Sequence, residues 1–470
     1  MNVVFKEWLP DVAPLGNPGL IECQNALPLD GVYKSFAPLT GSGTAAPSSI
    51  YGAIWSSSPS NGRYFGTLTN LYRQVLTTAQ SALSAATYNT DADGYWRFIQ
   101  YESLMIATNY TDLPQAHTVG AAGNFSSLAT SGTTPAAQHV GVIGQFVMLG
   151  NLKDSGGTAR PYTVQWSSID QPRNWPTPGS DTAIASQSGE QVLNPAWGDV
   201  MGIWGNDQFG VIAQQGGLTR ATYVGGTTVF QFDEFESGRG CLFPNSPIQI
   251  GNLTYYISPA GFCVTDGVTV KNIGANKVDN YFRSQVNFIY KPKVRGAADF
   301  QKELLYWAFC SSTSGSSVAD QLIIYNWQED RWARASNTSD GIISARHNIT
   351  AGESPRSIEG WQASRTLGSF SGTPGTAVFE SGEVELNEGG FSHVTGVKPL
   401  VDQASVTVAV GYRNDQATAA SYTSDTSPTT RTGYADFRNS ARYHRTRVTV
   451  TGTIGSMQGV EFNAQPEGRV

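Results

Sequence analysis

The sequence predicts an all-β protein: a β-propeller with a C-terminal antiparallel β-sandwich or sheet domain and an extended N-terminal arm. Three observations lead there. Quartets of short apolar runs recur through the middle of the 470 residues, separated by turns rich in Gly and Asn. Gly and Pro number 51 and 23, enough to punctuate the chain throughout. Charged residues are only 14% while aromatics reach 11%, so the surface must be built from Ser, Thr, Asn, Gln and backbone. Coiled coils and helix bundles need far more Glu, Lys and Leu. A hydrophobic content of 40% with 11 Trp can bury a core, which excludes a disordered chain.

Residues 1–48 carry Pro10, Pro14, Pro18, Pro28 and Pro38 with little periodicity. They read as an extended arm or strap whose Trp8, Leu9 and Leu20 are available for docking. The start, MNVVFKEWLP, has no cationic stretch ahead of an apolar run, so no secretory signal is expected. No apolar run approaches the roughly 18 residues of a membrane-spanning helix, and no membrane segment is expected.

Residues 49–375 hold the repeat, with room for about six blades of about 40–50 residues each. The clearest unit covers 200–232. Val200, Met201, Ile203 and Trp204 lead into a Gly205-Asn206-Asp207 turn, then Phe209, Val211 and Ile212 form a second strand. Thr219, Ala221, Tyr223 and Val224 form the third, and Val229, Phe230 and Phe232 the fourth, as in a run of hairpins. The same order returns at Ile248 and ends near Ile273; partial copies begin at Val140 and Leu304. Leu68 to Ala86 is Ala-rich, but Thr67, Thr69, Leu71 and Tyr72 suit a pleated surface, so 66–75 is expected as strand. Val278, Phe282 and Val286 recur every four residues and predict one short helix.

Residues 376–470 alternate strongly in Ser405–Val410 and in YHRTRVTV from Tyr443, around a long polar loop at 414–432. A small antiparallel domain is expected. Cys23, Cys241, Cys263 and Cys310 form no C-x-x-C pair and read as buried reduced thiols; a Cys241–Cys263 disulfide is the alternative. A reducing cytoplasm follows as the folding compartment.

The search for chemistry is mostly negative. His117, His139, His347, His393 and His444 show no i, i+2 or i, i+4 pair, and each reads as a hydrogen-bonded structural residue. No zinc, P-loop or nucleophile-elbow motif occurs, so catalytic, cofactor-binding and metal residues are all expected to be none. Asp233, Glu234 and Glu236 are the carboxylates available for a glycosidase, which needs two of them some 5–9 Å apart. The formal charge of -7 opposes a basic nucleic-acid clamp. The single basic cluster is Arg438, Arg442, Arg445 and Arg447, read as a polar sheet face or a subunit interface. A neutral to acidic lining would suit a conduit through which DNA slides.

Two resemblances follow. SIDQPRNW (168–175) resembles the Asp-box of sialidase-type propellers, with Pro172 where that family has Gly. In that turn Asp170 is expected to accept from turn amides and Trp175 to pack behind it. FKEWLPD from Phe5, LGNPG from Leu15, NALP from Asn25, TVQWSSIDQPRNW, VTVAVGYRN and ARYHRTRVTVTG together resemble the tail nozzle, or tail hub and packaged-DNA-stabilising, proteins of short-tailed bacteriophages. That resemblance implies a virion protein assembled in the host cytoplasm, with no catalytic residues. It implies a ring, in most cases a hexamer, below the portal and adaptor rings and in touch with tail fibre or tail-tip proteins. Packaged DNA would be retained by it and then pass through without sequence-specific binding. Ring-interface candidates are Trp8, Pro10, Tyr412, Arg413, Tyr443, Arg445 and Arg447; Asp170 and Trp175 are expected to be structural. The alternatives are a carbohydrate-active or carbohydrate-binding propeller, and a tail component that reads host glycan through exposed Tyr and Trp.

Overall fold

Six four-stranded antiparallel sheets, and a further quartet that is part of a ten-stranded sheet, make seven units along the chain in the computed structural model, which describes residues 1–75, 80–91, 94–345, 358–403 and 405–468. Their first strands are Gly52–Ser56, Arg97–Tyr101, Ala136–Ile143, Val200–Gly205, Ile248–Ile250, Arg295–Asp299 and Gly341–Ser344. The protein is mostly β, as expected. Among the described residues the α-helices are Asp181–Ala185 and Asp279–Gln285. The second coincides with the four-residue spacing of Val278, Phe282 and Val286. At 66–75 the chain ends one strand at Gly66, turns, and resumes as Leu71–Gln74.

Local chemistry sets the turns. Between the first two strands of the fourth sheet, Asn206 Oδ1 accepts from the Gln208 and Phe209 amides at 2.8 and 3.0 Å. That side-chain turn reverses the chain without exposing unpaired backbone. Middle strands covered on both faces read as continuous apolar runs; in Leu304–Phe309 all six residues are buried.

Neighbouring first strands touch in order, and the contacts return to their start. Gly52–Ser56 lies against Arg97–Tyr101, which lies against Ala136–Ile143, which lies against Val200–Gly205. Gln249 Nε2 donates to Gly205 O at 2.9 Å and joins the fourth sheet to the fifth. Ile248–Ile250 then meets Arg295–Asp299, and Gly341–Ser344 meets both Arg295–Asp299 and Gly52–Ser56. Glycine permits the approach: a Cβ on Gly52 would lie 2.0 Å from Trp96 O, and one on Gly141 2.6 Å from Ile203.

Seven such units are described where the sequence suggested about six repeats. The seventh sheet takes its fourth strand, Leu39–Ala45, from the N-terminal segment, which pairs with Thr366–Phe370. Sequence distance hides this unit. The first and seventh sheets are locked by a buried ion pair. Arg63 Nε and Nη2 each lie 2.7 Å from the Glu359 carboxylate, and the two side chains are 0% and 1% exposed. Arg63 also lies over the Trp55 ring at 4.6 Å.

The N-terminal segment is not a free arm, a correction to what its prolines suggested. Leu20–Gln24 sits between Arg331–Ser339 and Thr376–Ser381, merging the sixth sheet with a C-terminal sheet that includes Val406–Arg413 and Tyr443–Thr451. Ala26–Leu29 and Val32–Ser35 join Met457–Glu467, Phe391–Val401 and Ala435–Ala441 in a second sheet. Phe379, Val408 and Val448 of the one and Val397, Met457 and Phe462 of the other share a single core. Trp8 is fully buried and meets Tyr281 edge-on at 4.9 Å. Asp11 accepts from the Asn280 and Tyr281 amides, both at 2.7 Å, and so caps the helix Asp279–Gln285, whose own N-cap, Val278, makes no side-chain cap. Phe5, Trp8, Leu20, Leu27 and Tyr33 of this segment are buried inside the chain, while Met1, Val4 and Leu15 stay exposed.

Two stability outcomes are expected in denaturant unfolding. Arg63→Ala leaves Glu359 buried and uncompensated and costs about 3–5 kcal/mol, whereas Arg63→Met with Glu359→Leu recovers most of the loss. Asp11→Ala removes the helix cap and costs about 0.5–2 kcal/mol.

Candidate functional site

The segment richest in predicted interface residues is a pair of C-terminal strands, the second of which alternates between buried and half-buried residues from His444 to Val450. Val406–Arg413 runs antiparallel to Tyr443–Thr451, so Tyr412 faces His444, Arg413 faces Tyr443, Gly411 faces Arg445 and Ala409 faces Arg447. Period-two alternation puts Tyr443, Arg445 and Arg447 on one face. The adjoining strand Thr376–Ser381 and the two-residue strand Val384–Glu385 supply the opposite charges.

These arginines are neutralised at short range. Arg445 Nε and Arg447 Nη2 lie 3.1 and 3.0 Å from the two oxygens of Glu380. Tyr422 donates to the same carboxylate, and the Arg447 and Arg445 guanidiniums lie 4.0 and 5.2 Å from its ring. Burial and the Glu380 charge push the Tyr422 phenol up to about 12. Arg413 Nη2 reaches Glu383 at 2.6 Å, and Glu383 is wholly buried. Arg442 Nε bonds Glu385 at 2.8 Å. Of the basic cluster read from sequence, only Arg438 is left exposed without an acidic partner among the described residues. The set forms an ion-pair ladder that holds the strands together. Phosphates would have to displace carboxylates to use it.

The interface candidates differ in how much surface they offer. Trp8 is inside the chain, Tyr443 is 8% exposed, and Arg413 and Arg445 are tied to acidic partners. Pro10 and Tyr412 are half-buried. Arg447, with a side chain 39% exposed, is the most open of the three candidate arginines Arg413, Arg445 and Arg447. The polar loop at 414–432 contributes Ser421–Tyr422 as a short strand and pairs Thr426 with Val408, covering the edge of Val406–Arg413. No signal in the sequence tied Tyr422 to Glu380.

The turn at 168–175 is a structural joint. Trp175 is fully buried, and its Nε1 donates to Pro172 O at 2.9 Å. Asp170 accepts from the Tyr101 hydroxyl at 3.2 Å, not from turn amides as expected; its backbone takes a left-handed φ of 54°. Asn174–Trp175 runs beside Ser131–Gly132, tying the connection after the second sheet to the third.

The other chemistry-bearing residues are dispersed. Asp233, Glu234 and Glu236 lie on the outermost strand of the fourth sheet, where each has its own partner: Gln231, Asn194 and Arg239. His117, His139, His393 and His444 each meet a hydroxyl, of Tyr64, Tyr95, Ser440 and Ser392; His347 lies outside the described residues. All four cysteines are free and buried, so Cys241 and Cys263 are not bridged. Among the described residues no group of three or more His, Cys, Asp or Glu is placed to hold a metal ion. No helix is long and apolar enough to cross a membrane among them.

No family model matches the chain, and no curated protein matches it. Among solved structures, a chain of the mitotic checkpoint complex aligns with a TM-score of 0.44 and 11% identity, covering 71% of this chain and 91% of that one. The extracellular domain of what is described as a hybrid two component system from B. thetaiotaomicron aligns with a TM-score of 0.42 and 10% identity, covering 83% of this chain and 47% of that one. Both scores lie under 0.5, and neither likeness assigns a fold or a function to this chain.

His444 gives the ladder a pH dependence. It is fully buried beside Glu383, and burial, only partly offset by that carboxylate, holds its imidazole down to about 4. The unfolded chain takes up this proton near 6.5, the folded chain only near 4, so stability is complete above 6.5 and declines as pH falls through that window. The loss amounts to about 3 kcal/mol at most. Thermal unfolding followed from pH 7 to 4 should show this decline, and His444→Gln should lose less over the same range.

Proposed function

We propose that the seven sheets are the blades of a β-propeller and that the chain is a structural subunit of a short-tailed phage tail, in the manner of a nozzle or hub. Copies of it would form a ring, in most cases six, beneath the adaptor and portal. DNA would be retained by that ring and then released through it. The observation that carries this reading is the use made of the segments that resemble the phage family. FKEWLPD supplies the buried Trp8 and the Asp11 cap, 168–175 joins sheets, and the C-terminal strands carry the ion-pair ladder. The first anchors the N-terminal segment on the helix Asp279–Gln285, the second joins sheets, and the third pairs its arginines with acids.

Two further features support it. With 14% charged residues, little charge must be desolvated when large faces meet. A formal charge of -7 and internally paired arginines favour a wall along which phosphates slide. Contacts in such a ring are heterologous, so one face of the subunit complements a different face of the next. The proposed role includes no reaction.

The full-length chain, imaged by negative stain and weighed by native mass spectrometry, should form rings with a central hole, alone or on an adaptor ring. Double-stranded DNA should not be retained in a mobility shift at 150 mM salt. A solitary particle that cleaves or captures glycans on an array would overturn the proposal in favour of the carbohydrate reading.

A further inference from the structure

The first strands of all seven sheets line one cavity of about 930 Å³. That is the size of a small-molecule site, near the upper end of the usual range of about 300–1,000 Å³. Its walls include the aromatic rings of Trp55, Phe98 and Trp204. A narrower space of about 210 Å³ also touches Trp55 and Arg97 and adds Arg295.

Hydrogen-bond donors outnumber their partners here. Arg97 Nε, Trp55 Nε1 and Trp204 Nε1 are buried, and none has a hydrogen-bond partner. Among the described residues Arg97 has no carboxylate within ion-pair distance; its neighbour is the Tyr95 ring, 5.5 Å away. The nearby charges do not supply the deficit. Arg295 donates to Ile50 O at 2.8 Å, while Asp340 accepts from the Ile50 amide at 2.7 Å and faces Lys293 at 3.7 Å. Burial, opposed by Asp340 and reinforced by Arg97, pushes Arg295 down to about 10. His139 on the wall is held neutral by its burial and by Arg97, so it adds no charge. Glu102 is the one acid on the lining, and it is exposed. Arg295 thus shares the Asp340 carboxylate with Lys293, and Arg97 feels the Arg295 charge with no acid of its own. Arg97 is half-buried on this wall with no carboxylate beside it among the described residues, and an anion entering the cavity would give its guanidinium a charged partner.

We propose that this cavity is a binding site for a small ligand bearing an oxyanion, a carboxylate or a phosphate, seated on Arg97 with the Trp55 and Trp204 indole N–H groups as further donors. The aromatic walls take the ligand's less polar body. The site belongs to each single chain and does not require ring assembly.

The test is calorimetric titration of the full-length chain at 150 mM salt with inorganic phosphate and, separately, with glucuronate. At least one should bind saturably at one site per chain; phosphate alone marks a phosphate-bearing ligand, glucuronate alone a carboxylate. Arg97→Gln should weaken binding by roughly 10- to 100-fold, and Trp204→Phe, which keeps a ring but lacks the N–H, by roughly 3- to 10-fold. Arg160→Gln, at an ion pair of the third sheet away from the cavity, should bind as the parent does. The proposal fails if neither anion binds. It fails equally if Arg97→Gln, folded by circular dichroism, binds as tightly as the parent. Should that variant not fold, unchanged affinity in Trp204→Phe overturns the proposal instead.

Discussion

Everything in this fold hangs on strand pairings between residues more than three hundred positions apart. Leu39–Ala45 completes the seventh sheet, and Leu20–Gln24 bonds to Thr376–Ser381 while touching the sixth. Without the first pairing the last sheet would end in an open edge next to the first sheet. Without the second, the seven-sheet array and the C-terminal sheets would meet only through side chains. The entropy of closing such long loops grows slowly with length. A few well-formed strands at the N-terminus can therefore organise a chain of 470 residues.

Charge is handled in the same economical way. Few ionisable groups exist, and several of the buried ones are paired: Arg63 with Glu359 between the first and seventh sheets, Arg413 with Glu383 in the C-terminal ladder. Each pair stands where two elements must meet in one register. Removing water makes such a pair unforgiving of misplacement, because an unmatched partner is costly. Arg97 departs from that pattern, half-buried with no acid beside it among the described residues, and this contrast marks the central cavity among the molecule's concave surfaces.

The residues that would recognise a ligand there were not legible in advance. Trp55, Arg97 and Trp204 are separated by dozens of positions, and each sits in an ordinary apolar run. Only the convergence of first strands brings them onto one wall. The interface candidates met the reverse fate. Alternation in YHRTRVTV correctly put Tyr443, Arg445 and Arg447 on one face of a strand, yet the acids that occupy that face come from Glu380 and Glu385, some sixty residues earlier. Trp8 looked free because its partner, Tyr281, lies far along the chain.

By itself the sequence determined what depends on near neighbours. Period-two alternation, Gly- and Asn-containing turns and the Val278–Phe282–Val286 spacing specify short strands, hairpins and one helix, since backbone geometry and side-chain direction are settled over a few residues. Tertiary structure alone decided the number of sheets, the destination of the first 45 residues and the pairing of buried charges such as Arg63 with Glu359. Those outcomes arise from contacts between segments far apart in the chain, where burial and pairing are judged in three dimensions and no local pattern records them.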